Sequence, residues 1–301
     1  MFEEAQLYSP ITTAADGAVT VHLDEDHPGF GDPDYRARRN LIATRALEWE
    51  STQPPQPIPH VDYTEEEEEV WRTVCRELAV KHERLACAEY REAMAALALP
   101  ADRIPQLDEV GDRLAPLTGF EYYPAAGLVG FEQFYGSLAD GVFHSTQYIR
   151  HHARPLYTPE PDLIHEVIGH GGLLASPRLA ELNRLAGRAA RRLQTKAGRE
   201  FFAKVFWFSI EFGVVREAGE LRAYGAGLLS SYGEIEEFSG ADIRPLRIAE
   251  MGVLEYDITK YQPILFAADG LEQLLDVVGG FFAECDDDSP ARLGAAAAAR
   301  A

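Results

Sequence analysis

Two histidines and one distant glutamate are of the residue types that bind a catalytic metal. His165 and His170 lie within residues 161–170 (PDLIHEVIGH), and Glu211 lies within residues 207–213 (WFSIEFG). Two imidazoles and one carboxylate form the facial ligand set of a mononuclear non-haem Fe(II) ion, which leaves the opposite face open for oxygen and substrate. The residue types therefore predict a candidate site for an oxygen-activating metal.

The spacing of the two histidines argues against a zinc peptidase. A zincin motif places its histidines four residues apart on one helical face, whereas His165 and His170 are five apart. Residues at that spacing point in directions roughly 140° apart around an ideal helix. Both can reach one metal only if the helix ends, widens or contains a π turn, and Gly169 is the residue that would permit such a break. A zinc hydrolase is thus the disfavoured alternative.

The same residues also have a structural interpretation. A single histidine in a helix is more often a hydrogen-bonded core or surface residue than a ligand. Glu211 is flanked by Phe208, Ile210 and Phe212, and burying its carboxylate without a compensating charge is strongly unfavourable. From residue types and spacing alone, a metal role and a structural role are about equally open.

Composition excludes several classes of partner. The 28 basic and 49 acidic side chains give a formal net charge of -21, which repels nucleic acids and anionic membrane surfaces. Cys75, Cys87 and Cys285 are widely spaced and odd in number, so they predict neither a disulfide framework nor a thiolate metal site. With an acidic N-terminus and no long apolar run, the chain is expected to be cytoplasmic.

The apolar periodicity predicts a mainly α protein with minor short β elements. One helix is expected near residues 35–50, within an otherwise Pro- and Gly-rich start. Thr64 and Glu67 form a capping box, and an amphipathic helix is expected to continue over residues 70–99. The other predicted elements are helices at 131–148, 161–169, 178–195, 200–218 and 271–282, a strand at 253–259 and a glycine-rich turn at 224–227.

No internal repeat or flexible linker divides the chain, which predicts one catalytic domain over residues 1–301. The segments at about 1–20 and 285–301 are expected to be flexible. The alanine-rich tail at 294–301 has no heptad pattern, so it predicts frayed chain and no oligomerisation helix.

Four ordered segments resemble a known family. They are residues 143–150 (FHSTQYIR), 155–166 (PLYTPEPDLIHE), 206–213 (FWFSIEFG) and 225–234 (GAGLLSSYGE). They are similar to the catalytic domain of the pterin-dependent aromatic amino acid hydroxylases, and the chain most resembles the short bacterial phenylalanine-specific members. Weaker matches extend the resemblance over about residues 20–280, including 27–39, 104–107 and 261–263.

The resemblance implies an enzyme with Fe(II), tetrahydrobiopterin or a related tetrahydropterin as two-electron donor, and O2 as co-substrate. It makes His165, His170 and Glu211 the iron ligands. It also implies a small-molecule aromatic amino acid as substrate and no regulatory or tetramerisation domain, hence a monomer.

Further roles follow from the matching motifs. Arg150 would bind the substrate carboxylate, which suits its planar fork; without the motif it would be assigned to a surface salt bridge. The other residues implied for the substrate side are Thr158 at the amino acid backbone, Pro161, Trp207 and Phe212 around the ring, and the hydroxyls of Ser230 and Ser231 near the substrate and the iron ligands. For the pterin, the resemblance implies Leu128, Val129, ring stacking on Phe134, and His144 and Glu166 toward the polar edge.

Two features bear on the substrate and the ring position. Trp207, and Ile258 where tyrosine-specific members carry an acidic residue, favour phenylalanine. Gly171 and Gly172 stand where the family usually has a proline-containing segment, and they are expected to alter the pocket wall. The expected reaction is 4-hydroxylation to tyrosine. The alternatives are 3-hydroxylation to meta-tyrosine, tryptophan hydroxylation, and a non-catalytic binding protein.

Overall fold

A computed structural model describes residues 10–52, 56–127 and 129–298, and it is mainly helical with short strands, as the sequence predicts. The helices are α1 (Pro33–Glu50), α2 (Glu65–Leu85), α3 (Ala88–Leu97), α4 (Leu107–Thr118), α5 (Phe131–Ser137), α6 (Gly171–Ala175), α7 (Pro177–Ala190), α8 (Lys196–Phe206), α9 (Ala226–Ser230), α10 (Glu234–Glu237), α11 (Ile248–Met251), α12 (Leu271–Leu274), α13 (Gly280–Glu284) and α14 (Ser289–Ala298). The strands are β1 (Ile11–Thr13), β2 (Val19–Val21), β3 (Glu121–Pro124), β4 (Val142–Ser145), β5 (Val214–Glu217), β6 (Glu220–Ala223), β7 (Asp242–Pro245) and β8 (Ile264–Ala268).

Three helical segments have the wider i to i+5 hydrogen-bond pattern of a π helix. The first π turn is His165–His170 and runs directly into α6, and the second π turn is Trp207–Glu211 and continues α8. A third, Leu275–Gly279, joins α12 to α13. The first two contain the three candidate metal ligands.

Among the described residues, the strands form three small sheets. β1 and β2 pair antiparallel, and β3 and β4 pair parallel. The third sheet has the order β6-β5-β8-β7, in which β5 pairs antiparallel with β6 and parallel with β8, and β8 also pairs parallel with β7. β5 begins shortly after Glu211, so this sheet anchors the chain leaving the second π turn.

Local sequence explains the starts of the first two helices. Asp32 accepts hydrogen bonds from the first amides of α1, and Pro33 occupies the position where a missing N–H costs nothing. The predicted capping box of Thr64 and Glu67 is present at the start of α2. Four glutamates follow in the first turn, where the helix dipole favours negative charge.

Four predicted elements are wrong in their bounds or type. The helix expected over 200–218 ends at Glu211, and β5 follows it. The helix expected over 70–99 breaks at Ala86 and Cys87, because Cys87 donates its N–H to the carbonyl of Ala223 at 2.9 Å and caps α3 with its thiol. The region 131–148 contains α5 and β4 instead of one helix. The expected strand at 253–259 is irregular, and the strand lies later, at β8. Backbone hydrogen bonds to segments far away in the chain determine where these elements end and which type they are.

The chain ends were expected to be flexible, which stays a prediction. The described residues there include β1 and β2 near the start and α14 near the end.

The main apolar core surrounds the first π turn and packs it closely against α9. Val167 and Ile168 are buried in this core together with Leu228 and Leu229 of α9. Gly169 lies at the closest approach, where a Cβ atom would be 2.7 Å from the carbonyl oxygen of Ala226. The glycine therefore serves close packing between two backbones, which differs from the expected role in breaking the helix.

We predict that Gly169→Ala destabilises the protein by about 1–3 kcal/mol, because the new methyl group would push the π turn away from α9. Urea unfolding of the metal-free protein would measure this change. Gly280→Ala is the matched control, since Gly280 is helical and a methyl group added there would meet no side chain or neighbouring segment within 4 Å; it should be neutral or stabilise by roughly 0.5–1 kcal/mol. Equal stability of the two variants would contradict the packing role.

Candidate active site

The two π turns bring the three candidate ligands together. The amide of Gly171 donates to the carbonyl of Glu166 across the first π turn, and the amide of Phe212 donates to the carbonyl of Trp207 at 2.9 Å across the second. The wider turn places His165 and His170 on one side of the helix, with ring centroids 4.7 Å apart. The widening that the five-residue spacing requires is therefore present.

The ligand atoms have the separations expected around one metal ion. His165 Nε2 and His170 Nε2 are 3.0 Å apart. Glu211 Oε1 is 3.2 Å from His170 Nε2, and Glu211 Oε2 is 3.6 Å from His165 Nε2. Ligand atoms at about 2.1 Å from one ion, set at roughly right angles, are about 3 Å from each other. The chemistry and spacing of the donors thus fit a single divalent ion.

Burial and mutual charge set the protonation states of these groups. Burial lowers the pKa of His165 to about 4, and the neighbouring His170 acts in the same direction. Burial by itself would raise the pKa of Glu211, but attraction to His170 and His165 outweighs it, and the pKa is lowered. A neutral His165 and an ionised Glu211 are the forms that bind a metal.

Ser230 fixes the tautomer of His165. The Ser230 hydroxyl donates to the carbonyl of Ala226 at 2.8 Å, so its oxygen is left to accept from His165 Nδ1 at 2.9 Å. His165 then carries its proton on Nδ1 and presents the Nε2 lone pair toward Glu211. This is the usual arrangement for a metal-binding histidine, whose second nitrogen is held by an outer partner.

Two buried tyrosines hold the backbone of the first π turn. Tyr122 donates its hydroxyl to the carbonyl of Glu166 at 2.8 Å, and Tyr90 donates to the carbonyl of Ile168 at 2.9 Å. The ring of Phe143 lies next to the candidate ligand His170, and the centroids of the two rings are 4.8 Å apart. No local sequence pattern indicates these contacts, because each joins segments far apart in the chain.

Arg150 lies next to the first π turn, in a buried ion pair with Asp162. Its Nε and Nη2 atoms donate to the two carboxylate oxygens at 2.9 and 2.8 Å. The side chains are 4% and 0% exposed, which excludes the surface salt bridge considered from sequence. Asp162 also accepts from the backbone amide of His165 at 3.4 Å. It therefore couples the arginine to a candidate ligand, a role that sequence reasoning missed.

The aromatic residues expected around the substrate ring are in contact. The ring centroids of Trp207 and Phe212 are 4.5 Å apart. A second neighbour of the indole is Tyr256, which stacks on it with ring centroids 4.3 Å apart and an interplanar angle of 10°. The Trp207 indole N–H donates to Gln262 Oε1 at 3.1 Å. Tyr256 and Gln262, both missed in the sequence, thus determine the plane of the indole.

The remaining substrate-side residues differ in their contacts. The Pro161 carbonyl accepts a hydrogen bond from Tyr148, and the Thr158 hydroxyl closes a local turn by donating to the carbonyl of Glu160 at 2.8 Å. Ser231 accepts from the amide of Glu234 at 3.3 Å and caps α10. Its hydroxyl therefore serves a different purpose from that of Ser230.

The pterin-side residues that are described lie close to the metal ligands. The rings of Phe134 and Phe143 are 5.9 Å apart, and Phe143 in turn contacts His170. Burial lowers the pKa of His144 to about 4. Burial, followed by repulsion from Glu211 and Asp162, raises the pKa of Glu166 well above its usual value, which favours a neutral acid. Val129 is partly buried, and Leu128 lies outside the described residues.

Gly171 and Gly172 are closely packed against core residues, and their expected effect on the pocket wall stays a prediction. A Cβ atom on Gly172 would overlap the ring of Tyr90 at 2.2 Å and approach the sulfur of Met94 at 2.9 Å. A Cβ atom on Gly171 would face the side chains of Tyr122 and Leu97. The two glycines therefore allow α6 to pack against α3, on the core side of the helix that carries the ligands.

Comparison with known proteins places the chain in one family. The model of the family described as biopterin-dependent aromatic amino acid hydroxylase matches residues 14–289. Phenylalanine 3-hydroxylase of Streptomyces coeruleorubidus is 51% identical over 267 residues, covering 89% of this chain and 95% of that protein. Phenylalanine-4-hydroxylase of Bos taurus is 41% identical over 270 residues, covering 87% of this chain and 59% of that protein.

A solved structure has the same fold. The apo structure of the cold-active phenylalanine hydroxylase from Colwellia psychrerythraea 34H matches with a TM-score of 0.72 and 33% identity, covering 80% of this chain and 91% of that one.

None of the helices in the described part of the chain has both the length and the apolar character that crossing a membrane requires.

We predict that Glu211→Gln lowers the affinity for Fe(II) or Co(II) more than about 100-fold, because loss of a ligand should exceed the 10- to 100-fold effect of losing an outer partner. Anaerobic metal titration with elemental analysis would measure it. Glu284→Gln, which makes the same charge change at an exposed position, should bind metal like the parent. Full stoichiometry in Glu211→Gln would contradict the assignment.

Ser230→Ala should weaken metal binding by about tenfold, since the imidazole of His165 loses the acceptor that fixes its tautomer. Ser231→Ala is the adjacent control and should leave metal affinity unchanged, as Ser231 caps α10. The same anaerobic metal titration measures both variants, and equal metal affinities would refute the assigned role of Ser230.

Proposed function

The chain belongs to the biopterin-dependent aromatic amino acid hydroxylases, and from this membership we propose that it hydroxylates the ring of L-phenylalanine. One observation carries the proposal. The carboxylate of Glu211 converges with the imidazoles of His165 and His170, and it ends the same π turn that Trp207 of the stacked aromatic cluster begins. Ring binding and metal binding thus depend on one segment.

The metal proposed for the three ligands is Fe(II). Two imidazoles and one carboxylate leave coordination positions open, as oxygen-using non-haem iron enzymes require. Bound there, Fe(II) supplies oxygen activation together with the two electrons of a tetrahydropterin. The residues of the chain hold the ligands in their metal-binding protonation states and limit access of water to the buried site.

The substrate is proposed to bind through its carboxylate at one end and its aromatic ring at the other. Arg150 is proposed to meet the carboxylate, because its guanidinium is fixed by Asp162 and its Nη1 atom makes no hydrogen bond among the described residues. The aromatic ring would lie against Trp207, Phe212 and Pro161, where edge and offset contacts define its angle. Thr158 is proposed near the amino acid backbone.

The pterin is proposed to stack on Phe134, with His144 and Glu166 toward its polar edge and Leu128 and Val129 beside it. A neutral Glu166 can donate as well as accept a hydrogen bond, which suits the mixed donor and acceptor edge of a pterin. The ring contacts from Phe134 through Phe143 to His170 support this location, since they place the proposed stacking surface near the metal.

For the ring position, we propose 3-hydroxylation, which gives meta-tyrosine. The support is the 51% identity to a phenylalanine 3-hydroxylase over nearly its whole length, against 41% to a phenylalanine-4-hydroxylase. This reverses the order of the two candidates given by the sequence motifs. Formation of tyrosine by 4-hydroxylation is the second candidate, supported by the 41% identity to a phenylalanine-4-hydroxylase.

We further propose that the protein acts as a monomer and binds neither nucleic acid nor membranes, in keeping with its net charge of -21.

We predict that the Fe(II)-loaded protein, supplied with tetrahydrobiopterin and O2, converts phenylalanine mainly to meta-tyrosine. NMR and mass spectrometry of the product separate the 2-, 3- and 4-hydroxylated isomers, and parallel reactions with tyrosine and tryptophan test substrate choice. Glu211→Gln is the control for non-enzymatic oxidation. Tyrosine as the main product would establish the second candidate, and oxidation of tetrahydropterin with no ring product from any of the three would refute hydroxylation.

A further inference from the structure

Ser137, at the end of α5, connects two residues proposed to contact the pterin. Its hydroxyl oxygen is 3.0 Å from the carbonyl oxygen of Phe134, one turn earlier in the helix. It is 2.9 Å from the carbonyl oxygen of Val142 and 3.2 Å from Nδ1 of His144. No sequence motif or family resemblance singled out this serine.

The three contacts determine which atom carries each proton. A hydroxyl has one proton, and the carbonyls of Phe134 and Val142 can only accept. If the Ser137 proton pointed at His144, two carbonyl oxygens would face the serine oxygen with no proton between them. The hydroxyl therefore donates to the carbonyls, and His144 must donate from Nδ1 to the serine oxygen.

The same arrangement of carbonyl, serine hydroxyl and histidine occurs at the candidate metal site, where it determines which nitrogen of the histidine is free to bind the metal. Ser230 donates to the carbonyl of Ala226 and accepts from His165 Nδ1, so that His165 Nε2 is left as a lone pair. In both cases a helical serine back-bonded to a carbonyl sets the tautomer of a histidine that lies outside its own helix. At His165 the lone pair suits a metal; at His144 it suits a hydrogen-bond donor.

We propose that Ser137 is a positioning residue that holds His144 as the Nδ1–H tautomer and so presents Nε2 as an acceptor for an N–H group of a reduced pterin. The inference rests on the proposed function, which places His144 at the polar edge of the pterin. Because the same hydroxyl bonds the carbonyl of Phe134, it also fixes the imidazole relative to the proposed stacking ring.

Other contacts agree with this role. Among the described residues, His144 Nε2 has no hydrogen-bond partner, so the lone pair is available to a ligand. The ring of Tyr123 contacts the imidazole of His144 edge-on, with ring centroids 6.1 Å apart and an interplanar angle of 88°. This contact defines the plane of the imidazole. The lowered pKa of His144 keeps the ring neutral at physiological pH, as a fixed tautomer requires.

The tautomer can be observed directly. In the 15N NMR spectrum of histidine-labelled parent protein, which has 9 histidines, His144 should show a protonated Nδ1 and an unprotonated Nε2 at pH 7; its signals are identified by their loss in His144→Gln. In Ser137→Ala the two tautomers should exchange, and Ser137→Thr should restore the parent pattern. A protonated Nε2 in the parent protein would overturn the proposal.

Pterin affinity gives the second readout, in an anaerobic titration with tetrahydrobiopterin so that no turnover occurs. Ser137→Ala should weaken binding between about threefold and tenfold, the range expected for one hydrogen bond, with the KM for phenylalanine and the metal affinity unchanged. Ser137→Thr should recover most of the loss. Ser51→Ala is the control, because Ser51 also back-bonds a carbonyl, that of Glu48 at 2.7 Å, but contacts no histidine.

Unchanged pterin affinity in Ser137→Ala would overturn this inference alone. Absence of tetrahydropterin binding by the parent protein would overturn the proposed function as well, and the two failures are therefore distinguishable.

Discussion

The site depends on one constraint of backbone geometry, the i to i+5 hydrogen bonding of two helical turns. In an α helix, His165 and His170 would point in different directions; in the first π turn they face one point, with Nε2 atoms 3.0 Å apart. The second π turn carries Trp207 at its start and Glu211 at its end. The widened turns are less favourable than α-helical turns in isolation, so tertiary contacts must hold them. For the first π turn, Tyr90, Tyr122 and the close packing at Gly169 supply these contacts.

A second feature of the site is the control of protonation by residues that are not themselves metal ligands. Serine hydroxyls back-bonded to helix carbonyls accept from His165 and from His144, which leaves one lone pair on each imidazole. Asp162 pairs with Arg150 in a buried ion pair, and burial raises the pKa of Glu166, which favours its neutral form. Charges are thus arranged before any ligand binds, which reduces the reorganisation needed during catalysis.

Sequence predicted the parts of this site that depend on residue type and local spacing. The capping box of α2 and the need for a widened turn could be derived from short segments. The three candidate ligands were also visible there, but residue types and spacing left a structural role equally open, and the family resemblance supplied the assignment. The break between α2 and α3 could not, because the partner of Cys87 is Ala223, far away in the chain. Tyr256 and Gln262 were missed for the same reason, since both contact Trp207 from about fifty residues away. Asp162 and Ser137 have partners nearby in the chain, but their side-chain hydrogen bonds become visible only once the fold is known. Gly169, Gly171 and Gly172 were noticed, but their function is visible only from the neighbouring helices that they accommodate.

The central claim is that two π turns direct two imidazoles and one carboxylate to a single ion. X-ray absorption spectroscopy of the Fe(II)-loaded protein tests it most directly, because the first coordination shell reports ligand type and number. The account predicts two imidazole nitrogens and carboxylate or water oxygens at about 2.0–2.2 Å, with one imidazole lost in His170→Ala. A shell with a single imidazole, with sulfur, or one left unchanged by His170→Ala would contradict it.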